Sequence, residues 1–187
     1  GDCDIYAQRI NNAGVTQWGL NTAMAISDIT DNATDPQLLG DGSGGAYFVW
    51  VDNRNGNDDI YAQYVSAAGA INWTDLIGNQ ADLAIELLAS DQDRPQIVSD
   101  GQGGMFVGYM SLALNSINTN LYAQRVKQDK SMPWGVRRSI AATANARRSM
   151  RLVEDGNNGF VAAWWEDRQG SETGMYAQRF NNTGRSE

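Results

Sequence analysis

Hydrophobic and polar positions follow one pattern several times along this chain of 187 residues. Continuous apolar runs recur, each after a glycine-rich turn: AYFVWV at 46–51, MFVGYM at 105–110 and FVAAWW at 160–165. A strand that is covered by protein on both faces has such a run, whereas a strand with one face in water alternates between apolar and polar residues. The pattern therefore predicts β-strands buried front and back.

A second segment, with the shared triplet Tyr-Ala-Gln, follows each run and also opens the chain. It reads DIYAQR at 4–9, DIYAQY at 59–64, NLYAQR at 120–125 and MYAQR at 175–179. The triplets begin at Tyr6, Tyr61, Tyr122 and Tyr176, which gives spacings of 55, 61 and 54 residues. Self-similarity at a period of this length indicates a repeat architecture that covers almost the whole chain.

Each unit reads as four short strands, which in the second copy are residues 36–40, 46–52, 60–66 and 83–89. Asp-Gly-Ser-Gly-Gly and related turns separate them. We predict an all-β fold of repeated four-stranded antiparallel blades, a β-propeller or propeller-like stack with about three blades and incomplete ends. Residues 1–187 form one β-repeat domain, divided into a partial blade 1–30, blades 36–90 and 95–145, and a partial blade 149–182.

The repeated Tyr and Gln are best interpreted as packing between blades, because a residue needed for chemistry occurs once whereas these occur in every unit. Tyr supplies a large apolar ring with one hydroxyl to satisfy, and Gln a side chain that can bond to backbone. The residues predicted between blades are Tyr6, Gln8, Tyr61, Gln63, Tyr122, Gln124, Tyr176 and Gln178.

Charge is distributed unevenly between the two halves of the chain. The net charge is −8, with 15 acidic and 3 basic groups (−12) in residues 1–100 and 7 acidic and 11 basic groups (+4) in residues 101–187. This polarity favours contact between opposite ends of two copies, in a ring or filament, while the alternative is that the remainder of a longer chain completes the blades. A basic cluster is either solvated or meets an acidic partner: Arg137, Arg138, Arg147, Arg148 and Arg151.

Composition excludes several catalytic mechanisms. The chain has no His and a single cysteine, Cys3, so Ser-His-Asp, Cys-His and His-based zinc chemistry are unavailable and carboxylates remain. An acidic chain is a poor partner for nucleic acid, and no apolar run approaches the roughly 18 residues of a membrane helix.

Two sets of polar residues are candidates for chemistry. The pairs Glu166–Asp167 and Asp58–Asp59 could serve as glycosidase acid and base; the alternative is that they are solvated or paired with Arg54 and Arg168. The turn at 52–59 is a weak candidate calcium loop, or else a hairpin that needs no ion, and we expect no other cofactor. Its oxygen-bearing side chains are Asp52, Asn55, Asn57 and Asp59.

The stretch DGSGGAYFVWVDNRNGNDDIYAQYVSAAG at 41–69 resembles the repeats of secreted bacterial and archaeal β-propeller-like proteins. Those repeats carry a Gly-Gly turn, a Trp-x-Asp-x-Arg segment and an Asp-Ile-Tyr-Ala-Gln-Arg strand. The segment Tyr109–Ala113 departs from this pattern, since it lacks the Trp, Asp and Arg. The resemblance implies a propeller-like fold and an extracellular or cell-surface location.

From these features we predict a non-enzymatic structural or adhesive module that self-assembles head to tail. One alternative is a glycan-binding or glycan-hydrolysing propeller, which would be supported by a cluster of non-repeated acids and aromatic residues on one face. The other is a scaffold fragment of a larger secreted protein.

Overall fold

The computed structural model describes residues 3–19, 22–112, 119–142, 145–167 and 173–187, and within these ranges the chain forms thirteen β-strands. They are β1 (Ile5–Ala7), β2 (Met24–Ser27), β3 (Ala33–Gly40), β4 (Ala46–Asp52), β5 (Asp59–Val65), β6 (Leu83–Glu86), β7 (Gln92–Ser99), β8 (Met105–Leu112), β9 (Thr119–Val126), β10 (Arg138–Ala141), β11 (Ala146–Glu154), β12 (Phe160–Asp167) and β13 (Gly174–Phe180). No helix among the described residues is long and apolar enough to cross a membrane.

The strands form four antiparallel sheets in chain order. Sheet 1 is β1-β2, sheet 2 is β3-β4-β5-β6, sheet 3 is β7-β8-β9-β10 and sheet 4 is β11-β12-β13. The predicted all-β class with antiparallel sheets is confirmed. The predicted number of about three blades differs from the four sheets observed, because the incomplete first and last units each form a sheet of their own. Within the described residues the four sheets do not close into a ring.

The Asp-Gly-x-Gly-Gly turn joins the first two strands of each complete unit. In sheet 2 the Asp41 carboxylate accepts hydrogen bonds from the backbone N–H groups of Ser43 (2.7 Å) and Gly45 (2.9 Å). Gly42 has a φ of +78°, and a Cβ added at Gly45 would lie 2.5 Å from the Val65 carbonyl oxygen. Glycine is therefore required here by a left-handed backbone and by the close approach of β5.

Sheets 2 and 3 each bury one face against the preceding sheet, called the front face, and the other against the following sheet, called the back face. In β4, Phe48 and Trp50 on the front face join a core with Ile5 of sheet 1. Val49 on the back face joins a second core with Val107 of sheet 3. A third core unites sheets 3 and 4. This arrangement explains the continuous apolar runs, since both faces of β4 are buried.

The first strands of sheets 2, 3 and 4 lie side by side, with β7 in contact with both β3 and β11. Each has an irregularity at the same position, where Asp35, Arg94 and Ser149 adopt φ values of +51°, +50° and +56°. These are not glycines, so the backbone is strained in three equivalent places. The bulges lie near the N-terminal ends of the three strands, at what we call the cleft end of the molecule; the Asp-Gly turns lie at the opposite, turn end.

Candidate functional site: a charged cleft

Three of the four repeated Tyr side chains lie at interfaces between sheets, as predicted, and Tyr6 does not. Tyr61 is 6% exposed within the core between sheets 1 and 2, whereas Tyr6 is 55% exposed because its front face has no preceding sheet. Tyr122 and Tyr176 pack against the second and third cores. The exposure of each Tyr therefore depends on whether a neighbouring sheet covers it.

The repeated Gln binds within its own unit. The Gln63 amide donates to the Trp73 carbonyl (3.0 Å) and accepts from the Trp73 N–H (3.0 Å), and Gln8 makes the same pair of bonds with Trp18. Gln124 accepts from the N–H of Arg125 next to it. Gln178 donates to the Glu187 carbonyl.

The recurring Trp provides a polar link between neighbouring sheets. Its indole N–H donates to a backbone carbonyl of the next sheet in three copies: Trp18 to Ala67 (3.2 Å), Trp73 to Gln128 (2.9 Å) and Trp134 to Asn182 (2.9 Å). A Trp lies twelve residues after three of the four repeated Tyr residues, and this recurrence is the sequence signal for the role.

The carboxylates of the Trp-x-Asp/Glu segments are structural. Asp52 accepts from the Trp50 indole (2.9 Å) and pairs with Arg54 (2.6 Å). Burial alone raises the pKa of Asp52, but the hydrogen bonds from Arg54 and Trp50 outweigh it and the pKa is lowered. Glu166 is likewise buried, and it accepts from Trp164 and pairs with Arg147 at 2.9 Å.

The third copy replaces this arrangement with a contact between sheets. Tyr109 stands in place of the Trp, and its hydroxyl donates to Glu86 of sheet 2 (2.7 Å), which also pairs with Arg137 (2.7 Å). The Arg137 guanidinium lies 4.2 Å from the centre of the Tyr122 ring. The departure at Tyr109 therefore exchanges a local hydrogen bond for a link between sheets 2 and 3; Ala113 and Arg168 lie outside the described residues.

The candidate calcium loop is held by bonds among its own side chains. The Asp59 carboxylate accepts from the amides of Asn55 (3.2 Å) and Asn57 (3.2 Å), and Asn57 also donates to the Leu88 carbonyl. Asp52 faces Arg54, as described above. The described residues contain no group of three or more His, Cys, Asp or Glu side chains placed to hold a metal ion.

At the turn end, the repeated aspartates each have a partner from the third strand of the same sheet. Tyr64 donates to Asp41 (2.8 Å), Arg125 pairs with Asp100 (2.7 Å), and Arg179 pairs with Asp155 (2.8 Å). Burial alone raises the pKa of Asp41, but hydrogen bonds from Ser43, Tyr64 and two backbone amides lower it to about 2. The pKa of Asp155 is lowered too, since bonds from Arg179 and the turn outweigh its burial.

At the cleft end, carboxylates that are not repeated come together. An open cleft of about 450 Å³ lies between the β4–β5 turn and the first residues of β7 and β11. Asp58, Asp91 and Asp93 line it together with Arg94, Arg147 and Arg148. Its apolar wall is Met110 and Leu112, and no aromatic ring is among the described residues that line it.

These acids lack the built-in partners of the turn end, and they influence one another. The Asp91 carboxylate accepts from the backbone N–H of Asp58 (3.3 Å), and Asp93 makes a loose, exposed contact with Arg94 (3.5 Å). Burial, followed by the charges of Asp91, Asp59 and Asp35, raises the pKa of Asp58. Burial also raises the pKa of Asp93; Arg94 opposes this rise, whereas Asp35, Asp58 and Asp91 add to it.

Asp58 and Asp93 both break the repeat. Asp93 occupies the position of Thr34 in β3 and Arg148 in β11, and Asp58 occupies that of Thr119 and Thr173. Of the carboxylates considered from sequence, Asp58 lies in the cleft. Asp59 and Glu166 lie instead in buried networks of hydrogen bonds. Sequence reasoning missed Asp91 and Asp93, which a position-by-position comparison of the copies would have found.

The five predicted basic residues are divided between two places. Arg138 is the first residue of β10, and Arg137, which precedes it, pairs with Glu86. The other three lie in β11: Arg147 is buried against Glu166, Arg148 lines the cleft, and Arg151 is exposed.

Comparison with solved structures shows the fold. The chain aligns over 99% of its length with 78% of an endo-arabinase from Bacteroides thetaiotaomicron, at a TM-score of 0.53 and 13% identity. It aligns over 83% of its length with 51% of an N-acetylgalactosamine deacetylase from F. plautii, solved with blood group B trisaccharide, at a TM-score of 0.50 and 10% identity. No protein-family model matches the chain, and no curated protein sequence matches it.

The prediction of a non-enzymatic protein is wrong, because the fold is one that an enzyme, the endo-arabinase, also has. That prediction rested on the absence of His and on the structural role of the repeated residues. Neither observation bears on carboxylates that occur once, and the cleft is built from such carboxylates.

Proposed function

We propose that the four sheets are consecutive blades of a β-propeller that binds and hydrolyses glycans in the cleft lined by Asp58, Asp91 and Asp93. Asp58 and Asp93 are the residues to which we assign the acid role, and Asp91 and Asp35 are the neighbouring carboxylates. Glycoside hydrolysis needs one carboxyl group that donates a proton to the leaving oxygen and a second that acts as base or nucleophile.

The observation that carries the proposal is the set of non-repeated carboxylates in one cleft. A general acid is protonated when it meets the leaving oxygen, and burial together with neighbouring negative charges favours the protonated form of a carboxyl group. Asp58 and Asp93 have both causes of a raised pKa. A volume of about 450 Å³ is in the range of sites for small ligands, roughly 300–1,000 Å³.

The fold supports the same proposal by analogy. The endo-arabinase and the deacetylase are enzymes that share this fold, although fold alone assigns no activity. The resemblance of the repeat to secreted β-propeller-like proteins, and with it the extracellular location, is part of the proposal, since polymeric glycans are found outside cells or on their surfaces.

The test is release of reducing ends from arabinan and a panel of other polysaccharides. We expect the wild-type chain to hydrolyse at least one glycan, and Asp58→Asn and Asp93→Asn to lower the rate by roughly 10²–10⁴-fold, the contribution of a general acid or base. Glu154→Gln is the matched control, because it makes the same change at the far end of β11, on an exposed side chain. Full activity in both cleft variants would refute the assignment.

Binding separates the two parts of the proposal. Isothermal titration calorimetry with the oligosaccharides of the active polymer measures affinity without turnover in the Asn variants. Binding that survives while hydrolysis is lost supports a role in the chemical step. Hydrolysis and binding that are both absent from the wild-type chain across the panel would overturn the proposed function.

A further inference from the structure

One of the repeated glutamines, Gln124 of β9, has a side-chain donor that no described residue accepts from. Gln124 is 2% exposed, and its side-chain oxygen accepts from the N–H of Arg125. At the equivalent position Gln63 donates its Nε2 to the Trp73 carbonyl (3.0 Å) and to the Asp82 carboxylate (3.2 Å). Buried polar side chains are nearly always hydrogen-bonded, so this donor points to an acceptor that a ligand supplies.

A proline explains why the donor lacks the partner found in the other copies. In the three other sheets the residue equivalent to Pro133 donates its N–H to a third-strand carbonyl: Gln17 to Arg9, Asn72 to Tyr64 and Glu187 to Arg179. Proline has no N–H to donate. The chain turns differently here, and Gly135 donates to the Met132 carbonyl (3.0 Å). The backbone of Trp134 therefore makes no hydrogen bond with Gln124.

The segment between the third and fourth strands is also shorter in sheet 3. In sheet 2, residues 74–81 lead from the Trp towards β6, and Gln80 among them donates to the Ile26 carbonyl of sheet 1 (2.6 Å). In sheet 3, residues 135 and 136 take their place before β10. An open groove of about 680 Å³ lies at this point between sheets 2 and 3.

Gln124 lines this groove together with charged and apolar side chains. Arg137 is the cation; its guanidinium lies 4.2 Å from the centre of the Tyr122 ring and pairs with Glu86 of sheet 2 at 2.7 Å. The apolar side chains that line the groove include Ile85, Leu87, Met132 and Val136. The groove therefore combines an amide donor, a guanidinium and an apolar wall.

Sheet 2 shows what such an amide and guanidinium hold. Arg54 lies 4.1 Å from the centre of the Tyr61 ring and pairs with the Asp82 carboxylate at 3.0 Å. The same carboxylate accepts from Gln63. In sheet 3 the residue aligned with Asp82 is Arg137, so sheet 3 has a cation where sheet 2 has this carboxylate.

We propose that the groove between sheets 2 and 3 binds a peptide segment of another protein through an acidic side chain, whose carboxylate bridges Gln124 and Arg137. A second carboxylate beside Glu86 has a precedent, because Arg54 also pairs with two carboxylates. A peptide is the partner that fits, because a peptide segment that carries an Asp covers the corresponding place in sheet 2. This inference is independent of the proposed hydrolysis, since these residues do not line the cleft.

The test is a titration followed by ¹⁵N nuclear magnetic resonance. The ligand is a peptide with the sequence of residues 74–82, TDLIGNQAD, blocked at both ends. A peptide with Asn in place of both Asp residues is the control, and glucuronate tests a sugar acid as the source of the carboxylate. The side-chain amide signal of Gln124 reports binding in the wild-type chain, and the backbone signals of Gly135 and Val136 report it in every variant.

We expect saturable shifts with the acidic peptide and roughly 10- to 100-fold weaker binding of the Asn peptide, the usual contribution of a hydrogen bond to a charged group. Gln124→Glu keeps the acceptor for Arg125 and removes the donor, and Arg137→Gln removes the cation; each should weaken binding to a similar extent. Gln128→Glu is the matched control and should bind as the wild-type chain does, because its exposed side chain does not line the groove.

Circular dichroism establishes that each variant is folded, and the comparison of the two peptides needs no variant. Equal affinity for the two peptides would overturn recognition of a carboxylate. Unchanged binding in both Gln124→Glu and Arg137→Gln would overturn the site. Binding of glucuronate in place of the acidic peptide would overturn the peptide as partner, and the absence of any shift at millimolar peptide would overturn the whole proposal.

Discussion

The turn end and the cleft end of this molecule use the same side chain in opposite ways. At the turn end, Asp41, Asp100 and Asp155 each have a partner from the third strand of the same sheet, and the pKa values of Asp41 and Asp155 are lowered. At the cleft end, Asp58 and Asp93 lie among other carboxylates, and their pKa values are raised.

The difference teaches how a repeat separates structure from function. A residue that recurs in every unit recurs with its partner, so its charge is satisfied wherever it occurs. Asp58 and Asp93 break the repeat, and neither has such a partner from the third strand of its sheet. Carboxylates with raised pKa values in a cleft are typical of functional sites.

The largest effect should come from the buried pair at the turn end. Asp100→Ala removes one partner of Arg125, whose side chain is 9% exposed, and leaves that charge buried; we expect a loss of about 3–5 kcal/mol in the free energy of unfolding. Asp93→Asn at the cleft end should change it by less than about 0.5 kcal/mol, because the Asp93 side chain is 47% exposed and only loosely paired with Arg94. Urea denaturation measures both, and equal losses would remove the distinction between the two ends.

The next effect extends the comparison to apolar positions. Tyr61→Ala should cost about 3 kcal/mol, because it leaves a cavity in the core between sheets 1 and 2. Tyr6→Ala, the same change at an exposed position, should cost well under half as much in the monomer. An unchanged denaturation midpoint in Tyr61→Ala would contradict its place in the interface.

A smaller effect is expected in the pH dependence of stability. The lowered pKa of Asp41 stabilises the fold above pH 3.8, and this contribution is lost as the pH falls towards 2. Asp58 and Asp93 have the opposite sign, since a raised pKa disfavours the folded state at pH values where both carboxylates are charged.

The measurement is a set of thermal melts between pH 2 and 6. Asp41→Asn should flatten the fall in melting temperature below pH 4, while Asp58→Asn should raise the melting temperature slightly near pH 6. A steeper acid fall in Asp41→Asn would show that its carboxylate does not stabilise the fold.

Much of the fold could be predicted from the sequence, because the same pattern of strands and turns recurs in each copy of the repeat. The expected second strand 46–52 is β4, and the expected third strand 60–66 is β5 shifted by one residue. The expected first strand 36–40 is shorter than β3, which begins at Ala33 and accommodates Pro36 beside the bulge at Asp35.

The cleft could not be predicted in the same way. Asp58, Asp91 and Asp93 come from the β4–β5 turn of one sheet and from the start of the next, and they meet only because β7 lies beside β3. The spacing of these residues along the sequence does not predict that contact. Alignment of the copies does reveal that Asp58 and Asp93 break the repeat. The fold then shows that both residues line the same cleft.

The most direct test of this account is a carboxyl titration of the wild-type chain by ¹³C nuclear magnetic resonance, with each aspartate assigned by its Asn variant. The account predicts that Asp41 titrates at about 2 and that Asp58 and Asp93 titrate above the ordinary 3.8. Titration of all three near 3.8 would contradict the division between a structural turn end and a functional cleft end.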